Sequence, residues 1–100
     1  MIDKEVAQVT DWIAGRFHPR MILLYSRKTD VQGKLSSFKI CVVADVPDKE
    51  AMEEDIFLHV DSDVPYDVIS YFPEEWDRLT KDKNSFASRI IGAGSVIYYG

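Results

Sequence analysis

Ser36-Ser37-Phe38-Lys39-Ile40-Cys41-Val42-Val43 reads as a strand with one charge set into an apolar run. Side chains alternate across an extended strand, so Ser37, Lys39, Cys41 and Val43 share one face while Phe38, Ile40 and Val42 share the other. The face carrying Lys39 is therefore set apart. Upstream, Met21-Ile22-Leu23-Leu24-Tyr25 is apolar throughout, as a central strand covered on both faces requires. It gives way to Ser26-Arg27-Lys28 and a polar stretch reaching Gly33. The two runs read as strand, polar loop, strand.

Outward from this pair the periodicity changes. Ile2, Val6, Val9, Ile13 and Phe17 recur at helical spacing and predict a helix over residues 3–17, stopped before Pro19. Trp12 lies beside that stripe and is assigned to packing; His18 is assigned to capping or surface. Val46-Pro47-Asp48 opens an acidic segment in which Met52, Ile56 and Val60 mark a second helix, with Glu50, Glu53, Glu54 and Asp55 as its solvated side. Tyr66–Tyr71 reads as a third strand, and Pro73-Glu74-Glu75 as the first turn of a helix. Asn84 or Ser85 caps a further helix bearing Phe86, Ile90 and Ile91, which Gly92 and Gly94 are expected to break before a last strand at Ser95–Tyr99. The fold class is α+β: a small mixed sheet of about four strands with helices packed on it, forming one domain over residues 1–100.

Composition narrows the function. No run approaches the roughly 18–20 apolar residues of a membrane span, and Met1-Ile2-Asp3-Lys4-Glu5 does not begin a signal peptide, so a cytoplasmic protein without membrane association is expected. The lone cysteine, Cys41, lies in an apolar strand and is read as a packing residue rather than a nucleophile. A net charge of -5 argues against general nucleic-acid binding. That charge is uneven. Residues 1–39 carry seven Lys/Arg against four acids, whereas residues 40–79 carry two against twelve. His59 has no second histidine at ligand spacing, and Asp61-Ser62-Asp63 lacks the glycine and distal glutamate of a calcium loop.

The strand, polar loop, strand arrangement resembles the core of the minimal nucleotidyltransferases, small members of the polymerase-beta-type superfamily. Their pattern is an apolar strand ending in Gly-Ser, then Arg and a loop, then Ser-Asp-x-Asp and an apolar tail. With Ser26 as the motif serine, Arg27 matches the arginine, Ser36 the second serine, and Ile40–Val43 the tail, without a gap. Asp67, between apolar neighbours and followed by Phe72-Pro73-Glu74-Glu75-Trp76, matches the third carboxylate and the helix after it. Ile97-Tyr98 matches the closing strand, so the resemblance spans nearly the whole chain. Three positions depart from the pattern: Tyr25 replaces the glycine, Ser37 the first metal-binding aspartate, and Lys39 the second.

In the resembling family three carboxylates hold divalent cations that align a nucleoside triphosphate and activate a hydroxyl. Only Asp67 remains of that set, so Ser37, Lys39 and Asp67 are vestigial positions and Asp67 is the sole candidate metal ligand. An ammonium about 4 Å from a divalent ion is repelled by at most roughly 8 kcal/mol at an effective dielectric near 20. Lys39 is instead expected to pair with Asp67 across adjacent strands. The resemblance thus implies a catalytically inactive domain that works by binding, with no cofactor. Ser26, Arg27, Lys28 and Lys39 are the candidate nucleotide or anion ligands. The implied partners are a small helical HEPN-type protein, as in toxin–antitoxin pairing, or a second copy, with Val96–Tyr99, Tyr66, Tyr71, Phe72 and Trp76 as candidate interface residues. The alternative is an active enzyme moving a nucleoside monophosphate from a triphosphate to a hydroxyl, with Mg2+ held by Asp67, Ser37 and Asp45 or Asp63.

Overall fold

A computed structural model describes residues 2–100. Helix α1 (Lys4–Phe17) leads into a hairpin of β1 (Met21–Thr29) and β2 (Leu35–Val43). Helix α2 (Lys49–His59) crosses to β3 (Tyr66–Tyr71), after which come α3 (Pro73–Leu79), α4 (Phe86–Ala93) and β4 (Ser95–Tyr99). The four strands form one mixed sheet in the order β3-β2-β1-β4, with β2 and β3 parallel and the other pairs antiparallel. The α+β class and the mixed sheet read from the sequence are those of the structure.

The strand pleat divides the core in two. Ile22, Phe38, Ile40, Val42 and Val68 face α1 and α2, burying against Val6, Val9, Ile13, Met52 and Ile56. Leu23, Cys41, Val43 and Tyr71 face the other way, against Trp76 of α3 and Ala87 and Ile90 of α4. Each fully buried aliphatic or aromatic side chain contributes about 1.5–3 kcal/mol relative to exposure. The sheet is thus held from both sides. This layering takes Tyr71 and Trp76 into the core and leaves little of them for an interface. Tyr66 is likewise committed: its ring stacks between Phe38 and Phe57 at 5.4 and 5.5 Å, and its hydroxyl donates to the Val60 carbonyl at 2.7 Å.

Local signals explain most boundaries. The Asp48 carboxylate accepts the Ala51 N–H at 3.1 Å and caps α2, while Ser85 accepts the Ser88 N–H at 3.1 Å and caps α4. Helix α1 ends at His18, which takes the left-handed conformation (φ 48°) ahead of Pro19. Two boundaries differ from the sequence reading. Helix α4 runs through Gly92 to Ala93 and stops at Gly94, whose backbone lies so close to β1 that a Cβ would meet the Leu24 carbonyl oxygen at 2.7 Å. Strand β1 does not end at Tyr25 but continues through Ser26-Arg27-Lys28 to Thr29. The cause is the turn beyond it: the Asp30 carboxylate accepts the N–H groups of Gln32 and Lys34, and Gly33 takes a positive φ of 82° that favours glycine. So tight a closure zips the polar residues into the ladder.

Candidate functional site

The hairpin register decides which side chains meet. Leu24 lies opposite Ile40 and Ser26 opposite Lys39, leaving Tyr25 as the extra residue of a β-bulge. Beyond the bulge Lys28 lies opposite Ser37, and across the parallel pair Lys39 is in register with Asp67. Ser26, Lys28, Ser37, Lys39 and Asp67 consequently share the face that α3 and α4 cover only at its other end. The cover stops at Phe86, whose ring meets Tyr25 edge-on at 5.8 Å. Burial first, and then the neighbouring Cys41, Asp67 and Tyr71, push the Tyr25 phenol above its ordinary value.

Arg27 is turned away from this group. Its register partner is Phe38, on the α1 side of the sheet, and its guanidinium donates to both Asp3 carboxylate oxygens at 2.6 and 2.9 Å. The bidentate contact holds the Asp3 carboxyl below the usual range and raises Arg27. The sequence reading places Ser26, Arg27 and Lys28 on a loop that joins Lys39 of the second strand in one ligand set; the structure makes those loop residues ladder residues and separates Arg27 from the other three. The pleat of a strand, unlike a loop, sends neighbours to opposite faces.

Lys39 and Asp67 are both exposed, and no ion pair joins them among the described residues. The ion pair expected between them is not formed: they are register partners without contact, since two exposed charges gain little by giving up water. Between them lies a groove of about 80 Å3, bordered also by Ser37 and Tyr66. Ligand clefts run from about 300 Å3 upward, so this groove holds a phosphate-sized group at most. Asp45 follows the far end of β2, six strand steps or about 20 Å from Lys39, and does not join the group. Among the described residues no three His, Cys, Asp or Glu side chains gather as a metal site.

The other candidate residues have structural roles. Cys41 is fully buried and its thiol is pushed up to about 12 by burial, so it supplies no thiolate at neutral pH. The His59 ring stacks on Trp12 at 6.2 Å and contacts the Asp55 carboxylate at 2.8 Å.

A larger concavity lies at the opposite end of the sheet. A cavity of about 650 Å3 opens where β2 and β3 end, between His18 and Arg20 on one side and Asp45, Phe72, Glu74 and Glu75 on the other. Such crevices beyond the carboxyl ends of parallel strands are common ligand positions. Only its parts carry a sequence signal, the acidic stretch after Val46 and the Pro-Glu-Glu turn, because the cavity is assembled from segments far apart in the chain. Compared with known proteins, the chain matches no family model, no curated protein and no solved structure.

Proposed function

We propose that this chain is a catalytically inert nucleotidyltransferase-like domain that acts by binding a protein. The observation that carries the reading is the register of Lys39 with Asp67. The resembling enzymes need two carboxylates on one face of a strand and a third on its neighbour, and here those three places hold Ser37, Lys39 and Asp67. A single carboxylate beside an ammonium is a poor divalent-cation site, and the groove around it is too small to enclose a nucleotide. A small helical HEPN-type protein, in toxin–antitoxin-like pairing, and a second copy of the chain are the partner classes the resemblance implies. Pairing through β4 is the weaker route, because that edge strand is five residues long and bulged at Ile97, two features that resist strand addition.

Calorimetric titration with ATP and GTP, with and without Mg2+, tests the reading. No magnesium-dependent binding is expected; finding it, or transfer of a labelled nucleoside monophosphate, would sink the proposal in favour of the active enzyme. The common face of Ser26, Lys28 and Lys39 favours one second reading, a phosphate-binding sensor. Nucleotide binding that ignores Mg2+ and is lost in Lys28→Ala/Lys39→Ala would select it.

A further inference from the structure

The cavity at the ends of β2 and β3 does not stand alone. A second hollow of about 390 Å3 opens between α1 and α2, over Phe17 and Met52, and the two adjoin at Val46. Together they form a groove across the Asp45-Val46-Pro47 segment, with Phe17, Val46 and Phe72 as half-buried apolar surface. Five carboxylates and two guanidiniums border it. Arg16 pairs with Asp55 at 2.8 Å, and Arg20, on the rim with Asp45 and Glu74, reaches only the exposed Asp77 at 3.4 Å. Lys49 matches Glu75 at 2.7 Å. Asp45, Asp48 and Glu74 are left with no cationic partner among the described residues, and Asp48 meets only a backbone N–H.

An apolar floor flanked by three unmatched carboxylates selects a particular chemistry. We infer that this groove receives a basic segment of a partner protein, with an apolar side chain seated over Val46 and Phe72 and Lys or Arg side chains reaching Asp45, Asp48 and Glu74. Apolar anchoring supplies affinity, and the surrounding charge steers the approach and rejects acidic segments. The inference rests on the protein-binding reading and gives that reading a location. It is independent of the Lys39 face, about 20 Å along β2 from Asp45.

The test uses the 15N-labelled full chain and a blocked pentapeptide of alternating arginine and leucine, with the glutamate–leucine and serine–leucine peptides as controls, at about 150 mM salt to screen exposed charge. Saturable amide shifts are expected for residues around 16–20, 45–48 and 72–75 with the basic peptide alone. Asp45→Lys/Glu74→Lys should raise its Kd about tenfold, while Glu50→Lys/Glu54→Lys, the same charge change on the outer side of α2, should alter it by less than about twofold. Circular dichroism confirms that both variants, changed only at exposed positions, are folded. Absence of shifts, shifts spread along the outer side of α2, or equal weakening by both variants would overturn the inference. Because no nucleotide is present, these outcomes are separate from the nucleotide titration, which alone decides catalytic inertness.

Discussion

Lys39 and Asp67 are register partners across the parallel β2–β3 pair, exposed on the face that α3 and α4 leave bare, and no ion pair ties them. Of Ser37, Lys39 and Asp67, which share that face, only Asp67 carries a carboxylate. Ser37→Asp/Lys39→Asp would put three carboxylates on adjacent positions of that face and remove the repelling ammonium. The variant is expected to gain saturable Mn2+ binding, read as paramagnetic broadening of amides near residues 37–39 and 67. All three positions lie at least partly in solvent, so stability should change by no more than about 1 kcal/mol. Equal broadening in the unsubstituted protein would show that Asp67 alone suffices to hold the ion.

Cys41 offers a direct measure of how closed the core is. Its thiol is fully buried beneath α3 and α4 and is held protonated by that burial. Alkylation by iodoacetamide at pH 8 is expected only through opening of the fold, with a rate that rises in urea in step with the unfolded fraction. Rapid labelling in native buffer would mean that the α3–α4 layer opens independently of the sheet.

Gly92 and Gly94 sit two residues apart and predict opposite responses to alanine. A methyl at Gly92 meets nothing within 4 Å and lies inside α4, so Gly92→Ala should stabilise by about 0.5 kcal/mol through the restricted unfolded chain. At Gly94 the added Cβ would lie 2.7 Å from the Leu24 carbonyl oxygen and 2.9 Å from that of Ile90, both backbone atoms that cannot swing aside. Gly94→Ala should cost about 1–3 kcal/mol, as overpacking does. Urea midpoints of the two variants check the sign of each. A neutral Gly94→Ala would show that α4 docks on β1 more loosely than its geometry indicates.

The elements with a strong apolar period are legible in the sequence alone. The stripe of Val6, Val9 and Ile13 gives α1, the alternation through Phe38 and Ile40 gives β2, and Ser85 marks the start of α4. Ser26–Thr29 is not legible as strand, because residues polar on both faces read as loop. Only the Asp30–Gly33 turn, which fixes register from outside the strand, makes them ladder residues. The same blindness misplaces Arg27: grouping it with Lys28 assumes a loop, and the pleat sends it to Asp3 instead. The groove at Val46 is the least legible feature. His18, Asp45 and Glu74 carry no common local pattern, and nothing but the folded topology brings them to one rim.

The acid limb of stability should carry the signature of Glu75. Its carboxylate is held below its ordinary value of 4.5, first by the hydrogen bond from Lys49 at 2.7 Å and then by the Phe72 N–H at 2.9 Å. The latter bond satisfies the N-cap N–H of α3, and Phe72 has no side-chain acceptor to return it. A carboxyl whose pKa is lower folded than unfolded binds fewer protons in the native state, so stability rises with pH through that window. The contribution is complete above 4.5 and is lost as the pH falls through the depressed native value. Glu75→Gln keeps an acceptor for the Phe72 N–H but removes the charge that Lys49 needs, and should cost about 0.5–1 kcal/mol at pH 7. Urea unfolding at pH 7 and again near pH 2 separates the causes. If the charge is responsible, the difference between the two proteins shrinks as the pH falls and Glu75 takes up its proton; a difference that persists unchanged at low pH would assign the loss to packing at the first turn of α3.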